Sequence, residues 1–172
     1  MSQAPAWTVR PAGPDDASAL ALVGAATFLE TFAGAIEGTA ILGHCAANHS
    51  AEAYHSLFAK SAQAWIGEAD GGAPIGYALI ARPELEAARP GDIELKRIYS
   101  LSRFHGSGLG SALMDAAVAG AAGQDRLLLG VKADNHRAIA FYRKQGFDPI
   151  ATRQFNVGGK LFDDLVLARP LA

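Results

Sequence analysis

The stretch that most restricts the fold runs from Ile98 to Ser111, Ile-Tyr-Ser-Leu-Ser-Arg-Phe-His-Gly-Ser-Gly-Leu-Gly-Ser. An alternating segment, Ile93 to Ser100, reads as a strand and leads into a loop with glycines at 106, 108 and 110. A helical run of small residues, Gly108 to Ala122, follows directly, and a buried-looking strand, Arg126 to Val131, comes after it. Strand, helix and strand in that order form a βαβ-type passage, the connection that parallel neighbours require.

Around this passage the hydrophobic period is mixed. Trp7 to Arg10 alternates as a short first strand, and Gly13-Pro14-Asp15-Asp16 offers a cap and an early proline ahead of a helix ending near Phe32. Gly34 to Ser50 reads as a helix interrupted at Gly38 and Gly43, and Ala51 to Ala62 as a helix with Tyr54, Leu57 and Phe58 on one face. The period then becomes two. Ala64–Glu68 and Pro74–Ile80 flank the turn signal Asp70-Gly71-Gly72, and Pro83 to Gly91 is a polar loop. Asn135 to Gln145 is a helix stopped by Gly146; Phe147–Phe155 and Leu161–Ala168 pair around Gly158-Gly159. The sum is an α/β (α+β) fold in one domain, residues 1–172, with a mixed, mostly antiparallel sheet.

Composition narrows the classes. Of 172 residues 50% are hydrophobic and 19% charged, enough apolar surface for a real core. A net charge of −2 without a basic stripe argues against nucleic acid as a partner. The apolar run Ala17–Leu29 is too short to span a bilayer, and Met1–Trp7 lacks the charged start of a secretory signal. Cys45, the single cysteine, excludes an intrachain disulfide. The expectation is a soluble cytoplasmic protein with no membrane partner.

Two segments carry chemistry. Glycines permit close backbone approach, and free N–H groups at a helix start suit a phosphate or pyrophosphate; the same loop also reads as a tight packing turn. Gly106, Gly108 and Gly110 fit G-x-G-x-G, but Ser111 breaks the dinucleotide pattern and no Gly-Lys-Ser/Thr completes a P-loop. On the helix after Asn135, residues 135, 138 and 142 share one face and present an amide, a gap at Ala138 and a phenol. Asn135 as a helix cap and Tyr142 as half-buried core is the alternative for that helix taken alone.

Taken together, the segments resemble the hallmark motifs of the GNAT (GCN5-related) N-acetyltransferases. Arg103-Phe104-His105-Gly106-Ser107-Gly108 matches Q/R-x-x-G-x-G/A, and Asn135-x-x-Ala138-x-x-Phe141-Tyr142-x-x-x-Gly146-Phe147 is similar to the second motif. The resemblance implies a sheet with helices on both faces and acetyl-CoA as co-substrate. It implies a pyrophosphate site from Arg103 through His105, Gly106, Ser107, Gly108, Leu109 and Gly110 to Ser111. The pantetheine arm would lie on Ile98, Tyr99 and Ser100, flanked by Asn135, Ala138 and Tyr142. An amine attacks the thioester directly, a strand amide near Ile98 stabilises the oxyanion, and Tyr142 protonates the departing thiolate.

A narrower similarity, to the bacterial spermidine/spermine acetyltransferases, rests on Phe28–Phe32, Glu94–Tyr99 and the end from Leu128 to Leu165. It implies a polyamine or other small primary amine as acceptor, with Glu30, Phe32 and Arg97 as substrate contacts. Glu84, Glu86, Asp92 and Glu94 supply an acidic surface that suits such a cation. Glu94 shares strand parity with Ile98 and Ser100, so a regular strand points all three to one face and makes Glu94 a candidate base; a surface carboxylate paired with Lys96 or Arg97 is the alternative. His44, Cys45 and His49 lack a fourth ligand, so no metal is expected. A protein N-terminal acetyltransferase and a catalytically silent CoA-binding module are the rival functions. A homodimer is entertained as the assembly.

Overall fold

The computed structural model describes residues 6–171. Its strands are β1 (Trp7–Ala12), β2 (Gln63–Ala69), β3 (Ala73–Ala81), β4 (Asp92–Ser100), β5 (Arg126–Lys132), β6 (Asp148–Val157) and β7 (Lys160–Pro170). Its helices are α1 (Ala17–Phe32), α2 (Gly38–Asn48), α3 (Ala51–Ala59), α4 (Leu109–Gly120) and α5 (His136–Lys144). One seven-stranded sheet runs in the order β1-β2-β3-β4-β5-β7-β6. Every neighbouring pair is antiparallel except β4–β5, which is parallel and joined through α4.

Both faces are covered. In β3, Ala78 and Ile80 point to the core shared with Leu109, Leu113, Met114 and Ala117 of α4 and Tyr142 of α5. Tyr77 and Leu79 point the other way, onto Leu20 and Val23 of α1 and Tyr54 of α3. Removing a side chain such as Leu113 from water contributes about 1.5–3 kcal/mol. The α4 start is keyed into the sheet by two facing glycines, Gly67 and Gly76: a Cβ on Gly67 would lie 2.7 Å from Leu109 Cδ1 and one on Gly76 2.8 Å from the Tyr99 carbonyl.

Two irregularities matter. The β2–β3 register steps past Ile75, and the β3–β4 register steps past Lys96, because Leu79 opposes Arg97 while Ile80 opposes Leu95. Such a bulge inserts one residue and reverses side-chain parity beyond it. Two helical expectations also change. α2 is continuous through Gly43, which is exposed with open space where a Cβ would stand, so it costs helix propensity without breaking the helix. α3 ends at Ala59 instead of Ala62, as Lys60 caps it and Ser61 turns to φ 69°. Among the described residues no helix is long and apolar enough to cross a membrane.

Candidate active site

The site is built on a seam that opens. β4 and β5 pair only at Asp92–Arg126, Ile93–Leu127 and Glu94–Leu128. Beyond that point β4 stays bonded to β3 through Ser100, and β5 to β7 through Lys132, but not to each other. The Lys96 bulge falls where they part. A V-shaped cleft results, with the outer backbone groups of Ile98, Tyr99 and Ser100 lacking a strand partner on the β5 side.

The α4–α5 side of the cleft ends at the glycine loop. A single turn, Ser102–Phe104, is anchored by buried Phe104 and leaves Arg103 exposed. Gly106 and Gly108 take φ of 79° and 89°, the left-handed region, and Gly108 caps α4. Among the described residues the N–H groups of Gly106, Gly108, Gly110 and Ser111 meet no acceptor, and that of Leu109 meets only Ser107 Oγ at 3.4 Å. His105 Nε2–H donates to the Ser100 carbonyl at 3.2 Å, and its Nδ1 accepts from Arg137 of α5. Arg137 thus joins the loop to α5, a tie that no spacing in the sequence announced. Asn135 Oδ1 caps α5 by accepting from the Ala138 N–H at 3.2 Å. Tyr142 is 9% exposed, its phenol makes no hydrogen bond among the described residues, and burial raises its pKa, so it holds its proton.

The opposite side of the sheet carries the side chains of Arg97 and Tyr99. Arg97 lies 5.0 Å over the Tyr54 ring and donates to the Asn48 carbonyl at 3.0 Å. Beneath it, a network assigned from geometry runs from Tyr77 Oη to Tyr54 Oη at 2.5 Å and on to His49 Nδ1 at 3.0 Å. Burial, reinforced by Arg97 and His44, pushes the His49 imidazole down to about 3, so it is neutral. Gly24 makes room for this network, since a Cβ there would stand 2.3 Å from His49 Nδ1. Phe28 stacks on Phe32 and His44 at 4.4 and 4.0 Å, Phe162 meets Phe32 edge-on at 5.4 Å, and Phe155 and Phe162 oppose each other across β6–β7.

The bulge corrects the reading of Glu94. With Lys96 inserted, Glu94 opposes Ala81 and leaves the face shared by Ile98 and Ser100, which oppose Ala78 and Gly76. Its buried carboxylate accepts the Glu84 N–H at 2.8 Å and lies 3.9 Å from Lys96. Glu30 is likewise engaged: it accepts from Ser102 Oγ at 2.7 Å and Ser102 N at 3.3 Å, tying α1 to the loop after β4. Phe32 belongs to the aromatic cluster. Among the described residues no three His, Cys, Asp or Glu side chains gather as metal ligands.

Two residues to which the sequence reading gave no role complete this face. Arg153 of β6 opposes Asp164 of β7 and donates from Nε to its Oδ2 at 3.2 Å. Asp164 is 4% exposed, and its Oδ1 is a buried oxygen with no partner among the described residues. Burial raises the Asp164 carboxyl, with Arg153 opposing the shift.

Residues 27–147 match the family model described as Acetyltransferase (GNAT) family. Uncharacterized N-acetyltransferases of Mycobacterium bovis and Mycobacterium tuberculosis are 34% identical over 158 residues, covering 91% of this chain and 98% of theirs. The PaiA N-acetyltransferase of Thermoplasma acidophilum, solved with coenzyme A, superposes with a TM-score of 0.76 at 19% identity, over 96% of this chain and 99% of that one. The ribosomal-protein-S18-alanine N-acetyltransferase of Escherichia coli superposes at 0.67 and 20% identity, over 97% and 95%. These two likenesses are of fold.

Proposed function

The chain belongs to the GNAT acetyltransferase family, and we propose from that premise how its cleft divides the work of the reaction. It is an N-acetyltransferase with acetyl-CoA as co-substrate and an amine as acceptor. The residues present fit the coenzyme: unpaired N–H groups and two left-handed glycines at the α4 start make a cradle for an anionic group. When bound, acetyl-CoA supplies the activated acyl group.

The chain's own residues do the rest. Gly106, Gly108, Leu109, Gly110 and Ser111 offer backbone N–H groups to the pyrophosphate, with Arg103 and the His105–Arg137 pair adding charge at the rim. Ser107 lends its hydroxyl. Ile98, Tyr99 and Ser100 offer their free strand edge to the arm, as β5 would have done, and Asn135 and Ala138 border it. The neutral amine nitrogen forms its bond to the acyl carbon, and the carbon–sulfur bond breaks as Tyr142 gives its phenolic proton to the sulfur. The proton shed by the nitrogen passes to solvent, from which the phenolate is reprotonated. Burial raises the Tyr142 pKa, so the phenol is protonated in the resting site and available as the hydrogen-bond and proton donor.

We place the acceptor on the Arg97–Tyr99 side and favour a small primary amine over a polyamine. The polyamine reading rests on a local similarity and on Glu30, Glu84, Glu86, Asp92 and Glu94, and four of these five carboxylates have partners: Glu84 pairs with Lys96 at 2.6 Å, Asp92 with Arg126 at 2.6 Å, and Glu30 and Glu94 are bonded as above, which leaves exposed Glu86. The observation that carries the assignment is the parting of β4 and β5 directly above the glycine loop. Calorimetry with CoA and a thiol-release assay over an amine panel test it. Micromolar CoA binding and amine-dependent thiol release are expected; a protein that binds no CoA would refute it.

A further inference from the structure

We propose that the acceptor carries a carboxylate beside its amine, and that Arg153 and Asp164 read its two opposite charges on the α1–α2 face of the cleft. This deepens the acetyltransferase reading and rests on it.

Arg153 does not stop at its neighbour Asp164. Its guanidinium continues across β7 and lies over Gly130 of β5, where a Cβ would be 2.7 Å from Nη2 and 3.0 Å from Cζ. Only the absence of a side chain at 130 lets it lie there. Gly130 is two residues beyond Leu128, the last β5 residue paired with β4, so the guanidinium sits where the seam has opened. Nε is bonded to Asp164, whereas Nη1 and Nη2 meet no acceptor among the described residues. The Arg153 side chain is 37% exposed and accessible to a ligand. Those two nitrogens form half of a fork that matches a carboxylate.

Asp164 supplies the complementary half. Its side chain is 5% exposed, Oδ2 takes the Arg153 bond, and Oδ1 has no donor among the described residues. Buried carboxylate oxygens are ordinarily satisfied, so an empty one beside the cleft marks a place for a ligand's N–H. An ammonium and a carboxylate on one small molecule would complete both valences together. Lys132, opposite Asp164 on β5, adds a second cation, paired with exposed Asp134 at 3.5 Å and lying 5.5 and 4.8 Å over the Phe32 and Phe162 rings. The Phe32, Phe155 and Phe162 rings offer an apolar wall for the remainder of the molecule. A polycation would meet the three cations Arg153, Lys132 and Arg97 on this face.

The test compares acceptors that differ in one group. Thiol release from acetyl-CoA is measured with phenylalanine, phenylalaninamide, 2-phenylethylamine and spermidine, along with leucine and leucinamide. A kcat/KM at least about tenfold higher for an amino acid than for its amide is expected. Arg153→Gln should bring the two within about twofold while CoA affinity by calorimetry is retained. Gly130→Ala, which displaces the guanidinium without removing its charge, should shrink the preference as well. Equal use of acids and amides by the unaltered protein would overturn the inference. So would an amino acid that neither reacts nor raises the melting temperature of the CoA complex. A protein that acetylates only carboxylate-free amines fails this inference alone; one that binds no CoA and acetylates nothing fails the acetyltransferase reading too.

Discussion

At the paired end of the β4–β5 seam, Asp92 receives Arg126 Nε at 2.9 Å, Arg126 Nη2 at 2.6 Å and the Arg89 N–H at 2.9 Å. At the splayed end, Asp164 receives Arg153 Nε alone, at 3.2 Å, and keeps one oxygen bare. The same two residue types therefore stand in two conditions. The Arg126 bonds, aided by the Arg89 N–H, hold the Asp92 carboxyl below its usual range, whereas burial raises that of Asp164. A satisfied pair closes the sheet; an unsatisfied one, over a glycine, leaves part of its binding capacity for something else. The contrast extends along the seam: main-chain bonds hold one end, and open main-chain groups line the other.

The largest way to break this contrast is to fill the open end. Gly108→Val puts a β-branched side chain at φ 89°, where L-residues are strained, and adds bulk beside the unpaired N–H groups. CoA affinity should fall about 1,000-fold, roughly 4 kcal/mol, and calorimetry checks it. An unchanged affinity would remove the pyrophosphate from this loop. Next comes damage to the closed end. Asp92→Ala strands the half-buried Arg126 guanidinium and should cost about 3 kcal/mol of stability. In a chain of this size that is a drop of about 6–12 °C in Tm. A fall of less than 2 °C would show that backbone pairing alone keeps the seam shut.

How legible these regions were in the sequence differs for the same physical reason. The loop from Arg103 to Ser111 and the face of Asn135, Ala138 and Tyr142 are local: consecutive residues specify the backbone, so spacing along the chain reports spacing in the molecule. Even there Arg137, which reaches His105 from α5, gave no signal. The acceptor face takes Phe28 and Phe32 from α1, His44 from α2, Arg97 and Tyr99 from β4, Lys132 from β5, Arg153 from β6 and Asp164 from β7. No periodicity links them. Glu94 shows a sharper failure. A period of two holds only for a regular strand, and the one-residue insertion at Lys96 carries Glu94 away from Ile98 and Ser100. Nothing in Glu-Leu-Lys-Arg-Ile marks a bulge. Gly43 misled in the opposite sense, since a solvent-facing helix glycine weakens a helix without ending it.

A subtler perturbation separates catalysis from binding within the open end. Tyr142→Phe keeps the ring packed against Phe147 at 5.9 Å and removes only the phenolic proton. Because that proton is needed only as charge develops on sulfur, kcat and kcat/KM should fall together, about 100-fold. CoA affinity and melting temperature should stay put. Unchanged kcat would assign Tyr142 to packing, and lost CoA affinity with normal kcat at saturation would make it a binding residue.

The smallest expected effect tests the two aspartates against each other through pH. Asp92 has a depressed folded-state pKa, so its contribution is present above the unfolded carboxylate value of about 4 and is lost as pH falls through the folded value. Asp164 has a raised one, so its contribution is complete below the unfolded value and is lost as pH rises through the folded value. Urea midpoints for the unaltered protein, Asp92→Asn and Asp164→Asn, measured from pH 3 to 8, separate these slopes. The penalty of Asp92→Asn should grow as pH rises and vanish in acid. Asp164→Asn should gain on the unaltered protein over the same rise, because an amide has no charge to bury. The amide replaces one of the two carboxylate oxygens and gives up the charge that attracts Arg153, so the gain should be smaller than the Asp92 penalty. If Asp164→Asn instead lost ground as pH rose, Arg153 would be stabilising the carboxylate more than burial opposes it. The two ends of the seam would then be the same kind of pair, and the case for Asp164 as a waiting ligand site would lose its electrostatic half.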